Sequence, residues 1–179
     1  MTEVLDNIAA LLRYPTDEYK QRIDASIRTI KTTCSDNDVP LARLLAFNEA
    51  MRDLSLADLE ELYTRTFDIN PVSSLEVGWH LHGETYERGA FLVTMREVLR
   101  RCQVEELTEL PDHLTHVLPA VARMSEEEAE AFVSQQLLKA LNKMLEGFIG
   151  KENPYEHVLV ATKELLMHNV VSPVGASHD

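Results

Sequence analysis

The chain has 179 residues, of which 45% are apolar and 26% charged, with a formal net charge of −13. It is long enough to bury one core and too apolar to be disordered throughout. The acidic excess works against a nucleic-acid backbone or an anionic lipid surface as partner and favours a cationic partner or simple solubility. Cys34 and Cys102 stand far apart and outside any CxxC pattern, so free thiols are expected rather than a disulfide framework. No apolar run reaches the roughly 18 residues of a membrane span. The opening Met1–Asp6 lacks the basic and long apolar regions of a secretory signal, which predicts a cytoplasmic protein.

Apolar residues recur at helical spacing almost everywhere. Val4, Leu5, Ile8, Leu11 and Leu12 share the face of a first helix, with Thr2 as its expected N-cap and Tyr14-Pro15 as its stop. Thr16 is expected to cap a second helix that carries Tyr19, Ile23, Ile27 and Ile30, followed by a loop over 35–38. Pro40 restarts a helix in its first turn. Ser55 and Asp58 form a cap-like start for a helix from Leu56 to Phe67, and 68–74 reads as a loop. Further helices are predicted over 84–101, from Pro111 to about Arg123, over 126–148 behind a Ser125/Glu128 capping box, and from Asn153-Pro154 to about His168. Residues 171–179, with Pro, Gly and Ser, read as a frayed, disordered tail to a domain over 1–170. The prediction is an all-α, single-domain bundle of about seven or eight helices.

Catalytic signals are absent. The six glycines form neither a GxGxxG nor a P-loop, there is no HExxH, and no histidine follows a glutamate by three positions as di-iron bundles require. His80 and His82, then His113 and His116, leave a metal reading open, since positions i and i+3 share a helix face; capping or surface roles are the competing reading. Cys102 is a nucleophile only if folding brings a base to it.

Three segments are more specific. Leu59-Glu-Glu-Leu-Tyr-Thr-Arg-Thr-Phe-Asp68 places Leu59, Leu62, Tyr63 and Phe67 on one stripe, the pattern of core packing. The segment 75–91 holds the only tryptophan, Trp79, with Gly78, Gly83 and Gly89. Gly83 is placed to shape the start of the next helix, and Gly89 inside that helix suggests close approach of a neighbour. In Glu109-Leu-Pro-Asp-His-Leu114, Pro111 and Asp112 suit a helix first turn, while Asp112 and His113 could instead face a groove and hold a basic peptide.

Taken in order, Glu-Leu-Tyr-x-x-Thr-Phe-Asp, Gly-Glu-x-Tyr-x-Arg-Gly and Leu-Pro-Asp-His-Leu resemble the TorD/DmsD/NarJ family of redox-enzyme maturation chaperones. Leu11-Leu-Arg-Tyr-Pro15 and 74–84 resemble its NarJ-like branch, the delta-type chaperones of nitrate reductase and related molybdenum enzymes. The resemblance covers roughly residues 5–120. It implies an all-helical cytoplasmic protein without enzymatic activity. Such a protein binds the apo catalytic subunit of a molybdoenzyme, often at its N-terminal twin-arginine signal peptide, until the molybdenum cofactor is inserted. It also implies a peptide site drawn from Trp79, Gly83, Tyr86, Arg88, Phe91, Glu109, Pro111, Asp112 and His113. Glu105, Glu106, Glu109 and Asp112 are the carboxylates expected to meet arginine. No motif for a bound nucleotide or cofactor is present, and no cofactor or metal is expected. Monomer and homodimer are both compatible with the sequence. The alternatives are a small subunit retained in the finished complex and a His-ligated metal-binding bundle.

Overall fold

The computed structural model describes residues 1–35 and 37–171, so the expected frayed tail over 171–179 lies outside them apart from Val171. The described residues are helical with no strand, as the periodicity predicts. In chain order the helices are α1 (Thr2–Leu11), α2 (Tyr19–Lys31), α3 (Val39–Met51), α4 (Leu56–Tyr63), α5 (Val77–His82), α6 (Tyr86–Arg101), α7 (Leu114–Val121), α8 (Glu126–Phe132), α9 (Leu138–Glu146) and α10 (Tyr155–Asn169). A π-helical turn, Thr64–Asp68, continues α4, and another, Val133–Leu137, joins α8 to α9. Counting joined segments once gives nine rods among the described residues. The short α5 is the element that the periodicity does not predict.

The core follows the predicted faces. Val4, Leu5, Ile8, Leu11 and Leu12 meet Ile23, Ile27 and Ile30 of α2, and α1 also packs on α7. The most extensive pairing is α10 on α3, through residues such as Leu159, Leu166, Leu41 and Phe47. Every residue of α7 is buried, as for a helix surrounded by others.

Helix ends explain three buried tyrosines. The last carbonyls of a helix lack intrahelical donors. The Tyr19 hydroxyl donates to Leu11 O at 2.7 Å, and that of Tyr63 donates to Leu12 O at 2.9 Å. The Tyr155 hydroxyl lies 3.0 Å from that of Tyr19, which accepts from it. Tyr63, Phe67 and Tyr155 then stack edge to face, with ring centroids 4.8–5.9 Å apart. The Leu59–Asp68 stripe is core, as its spacing suggests.

Several caps differ from expectation. Thr2 lies inside α1 behind Met1, and its hydroxyl donates to Ala122 O instead. Glu18, not Thr16, precedes α2, and the Thr16 hydroxyl accepts from Arg22. The Ser55/Asp58 box forms in both directions, whereas at Ser125 only the hydroxyl-to-Glu128 N arm is made. Pro111 and Asp112 do not open a helix: α7 begins at Leu114, and its N-cap is His113. Asn153 Oδ1 accepts from Tyr155 N at 3.0 Å and so starts α10 as predicted.

Candidate functional site

The site is built where two distant segments cross. Glu76 and His113 form an isolated antiparallel bridge, with Val77 N donating to Asp112 O and Leu114 N to Leu75 O, both at 3.0 Å. The bridge brings the Asp112 carboxylate to the start of α5, where Oδ2 accepts from Gly78 N at 2.8 Å. A six-residue helix is marginal alone, and this borrowed cap holds its free N–H group. Gly78 is obligatory here. A Cβ at this position would lie 2.7 Å from Phe91 Cδ1 and 2.8 Å from Asp112 Oδ2. Asp112 is fully buried and its Oδ1 has no partner. Burial pushes its carboxyl above the usual range, against the opposing pull of the Gly78 N–H.

Beside this crossing lies a groove of about 400 Å³ lined by Phe67, Asp68, Ile69, Pro71, Glu76, Trp79, Arg88, Glu109 and His113, among others. Two further depressions of about 480 Å³ adjoin it. One shares Glu109 with the groove, the other shares Ile69, and both include Tyr14. The groove thus opens into a trough with apolar lips. Trp79 is fixed by its Nε1, which donates to Pro71 O at 2.7 Å. The Arg88 guanidinium lies over the indole, 5.3 Å from the ring centroid. Asp68, Glu76 and Glu109 crowd the same space. Partial desolvation, then repulsion by Asp68 and Glu76, raises the carboxyl of the solvent-accessible Glu109 above its ordinary range; Asp68, also accessible, is raised by partial desolvation and by Glu76. The π turn after Tyr63 turns Phe67 into the core and leaves Asp68 on the groove wall.

Four of the nine expected site residues line this groove: Trp79, Arg88, Glu109 and His113. Asp112 lies behind it as a structural cap. Phe91 packs on Gly78 and, at 5.5 Å between centroids, on His82. Pro111 is buried in the turn before His113. Gly83 closes α5 at φ +62°, a left-handed conformation that favours glycine. Tyr86 is 90% exposed and does not line the groove. Gly89 has open space where a side chain would stand, so the suggested close approach is made at Gly78 instead.

The expected acidic run also separates. Glu106 forms a bidentate pair with Arg96, and Glu105 faces a different depression. Asp68 and Glu76, which join Glu109, are not singled out by the sequence. The available signal is their position, each flanking a segment that enters the core.

His80, His113 and His116 serve the backbone. His113 Nδ1 accepts from Thr115 N as the α7 cap, and burial pushes the imidazole down to about 3. His116 is held between Leu110 O at 2.9 Å and Leu107 N at 3.0 Å. His80 contacts Ser74 O at 2.7 Å. Among the described residues, no three His, Cys, Asp or Glu side chains are grouped to hold a metal. Both thiols are free, and burial raises each, which disfavours the reactive thiolate. No described helix is long and apolar enough to cross a membrane.

The fold and the groove define an all-helical protein with an acidic, tryptophan-walled trough on one side. The model of the nitrate reductase delta subunit family matches residues 17–157, and the chain belongs to that family. Over 126 residues it is 27% identical to the nitrate reductase molybdenum cofactor assembly chaperone NarJ of Escherichia coli strain K12. The protein of the same name from Escherichia coli O157:H7 matches to the same extent. The match covers 68% of this chain and 52% of each relative, so the chain spans about half the length of the curated relatives it matches.

Proposed function

We propose that the chain is a system-specific assembly chaperone for a molybdenum oxidoreductase, without catalytic activity of its own. In this reading it binds the apo catalytic subunit in the cytoplasm at a basic N-terminal segment of twin-arginine type. It holds the subunit until cofactor insertion and then departs. Family membership and the chaperone role named for the relatives support the assembly function. The observation that carries the binding mode is the convergence of Asp68, Glu76 and Glu109 on one trough beside Trp79. Arginine pairs with carboxylates through two parallel charge-assisted bonds, and the apolar segment that follows a twin arginine suits the Ile69 and Tyr14 lips.

Calorimetric titration with N-terminal peptides of candidate catalytic subunits tests this reading. Tight binding that weakens when both arginines become lysine is expected. No binding to any such peptide would direct attention to a folded surface of the client. The family description names a subunit, which favours one second reading: a small subunit retained in the finished enzyme. Recovery of the chain with mature, cofactor-loaded enzyme distinguishes the two.

A further inference from the structure

Two polar groups of opposite charge are left unpaired at the groove, one on its wall and one behind it. Asp112 Oδ1 is buried without a hydrogen-bond partner, and so is Arg88 Nε. Among the described residues Arg88 makes no ion pair, although the trough around it is acidic. Its guanidinium instead covers the face of Trp79, the surface most suited to a ligand cation or apolar side chain. Arg88 is nonetheless near enough to Asp112 to favour the ionised carboxylate. Leaving both groups unsatisfied costs the free protein stability, and each is the complement that the other lacks.

We infer that Arg88 is a placeholder: an incoming cationic segment displaces it from Trp79, and it swings onto Asp112 Oδ1. The inference rests on the reading of the trough as a peptide site, and it assigns that site its internal switch. The occupant is a segment carrying arginine, because Asp68, Glu76 and Glu109 provide the complementary charge. In the free state Arg88 rests on Trp79 and leaves the acidic wall without a paired cation. In the bound state the client supplies it, and Arg88 neutralises the one carboxylate the client cannot reach. Asp112 is fixed for this role, since Oδ2 is held by Gly78 N and only Oδ1 is free.

Trp79 is the only tryptophan, so its fluorescence reports the step directly. The probe is a synthetic peptide with two adjacent arginines followed by apolar residues, titrated into wild type, Arg88→Ala, Asp112→Asn and the double variant. The amide oxygen that Asp112→Asn introduces still accepts from Gly78 N, and far-UV circular dichroism confirms that each variant is folded. Arg88→Ala alters Trp79 emission before any peptide is added. Each single variant binds about tenfold more weakly, and the double variant is no weaker than the worse single, because both remove the same charge-assisted pair. Arg88→Lys, which keeps the charge, recovers part of the loss. Additive losses in the double variant, or unchanged or tighter binding by Arg88→Ala, overturn the switch while leaving the peptide reading intact. Failure of the wild type to bind the peptide overturns both.

Discussion

Gly78 and Gly89 show opposite uses of one residue type. At Gly78 two neighbours already occupy the space of a Cβ, so Gly78→Ala overpacks the crossing and is expected to cost about 1–3 kcal/mol. At Gly89 nothing intrudes and the backbone is helical, so Gly89→Ala is expected to stabilise by about 0.5–1 kcal/mol. Urea denaturation of the two variants checks both signs. The sequence draws attention to the three glycines but attaches close approach to Gly89, because what lies against a glycine is set by tertiary neighbours. The acids of the groove carry a pH dependence. Asp68, Glu109 and Asp112 all have carboxyls raised above their ordinary range, so the folded protein holds these protons more tightly than the unfolded chain. These groups therefore oppose folding above their raised folded values, and that cost is relieved as pH falls towards the unfolded ones. A cationic peptide favours the ionised forms. Its binding expels protons, and its affinity rises as pH rises through the raised values and levels off above them. His113, pushed down to about 3, stays neutral through that window. Titrations in two buffers of different ionisation enthalpy measure the proton release; proton uptake on binding would contradict the assignment.

Helix identity is readable in the sequence and helix ends are not. Periodicity places the core faces of α1, α2 and α4 because a helix buries one stripe whatever its neighbours are. Caps depend on which long-range partner reaches an end. The carbonyls of Leu11 and Leu12 are met by Tyr19 and Tyr63, from other helices, and the start of α5 is met by Asp112, 34 residues away. Nothing local signals either arrangement. The short α5 escapes notice for the same reason: its stability is supplied by the bridge at Glu76 and His113 rather than by its own residues. The tyrosine network yields an ordered pair of variants. Tyr19→Phe leaves buried Leu11 O and the Tyr155 hydroxyl without partners and is expected to cost about 1–3 kcal/mol. Tyr155→Phe leaves the bond from Tyr19 to Leu11 intact and is expected to cost about 1 kcal/mol. Thermal melts of the two variants should rank in that order. Ser55→Ala, which breaks a reciprocal capping box, should lower Tm, whereas Thr16→Ala removes no cap.

For the whole molecule, the sequence supplies the class of fold and the resemblance to a chaperone family, and it points to Trp79, Arg88, Glu109 and His113, which the structure places on the groove. It does not assemble the acidic wall, because Asp68 and Glu76 reach Glu109 only through the π turn and the crossing of 75–77 with 112–114. The central claim is that this wall receives a cationic client segment. The direct measurement is calorimetry of a two-arginine client peptide against wild type and an Asp68→Asn, Glu76→Gln, Glu109→Gln triple variant. These substitutions remove charge while nearly preserving shape, and circular dichroism and Tm establish that the variant is folded. The expected result is a loss of about tenfold or more in affinity, since three solvent-accessible carboxylates lose their charge-assisted bonds, together with a weaker dependence on salt. An affinity within about twofold of wild type, at low and at moderate salt, would contradict it.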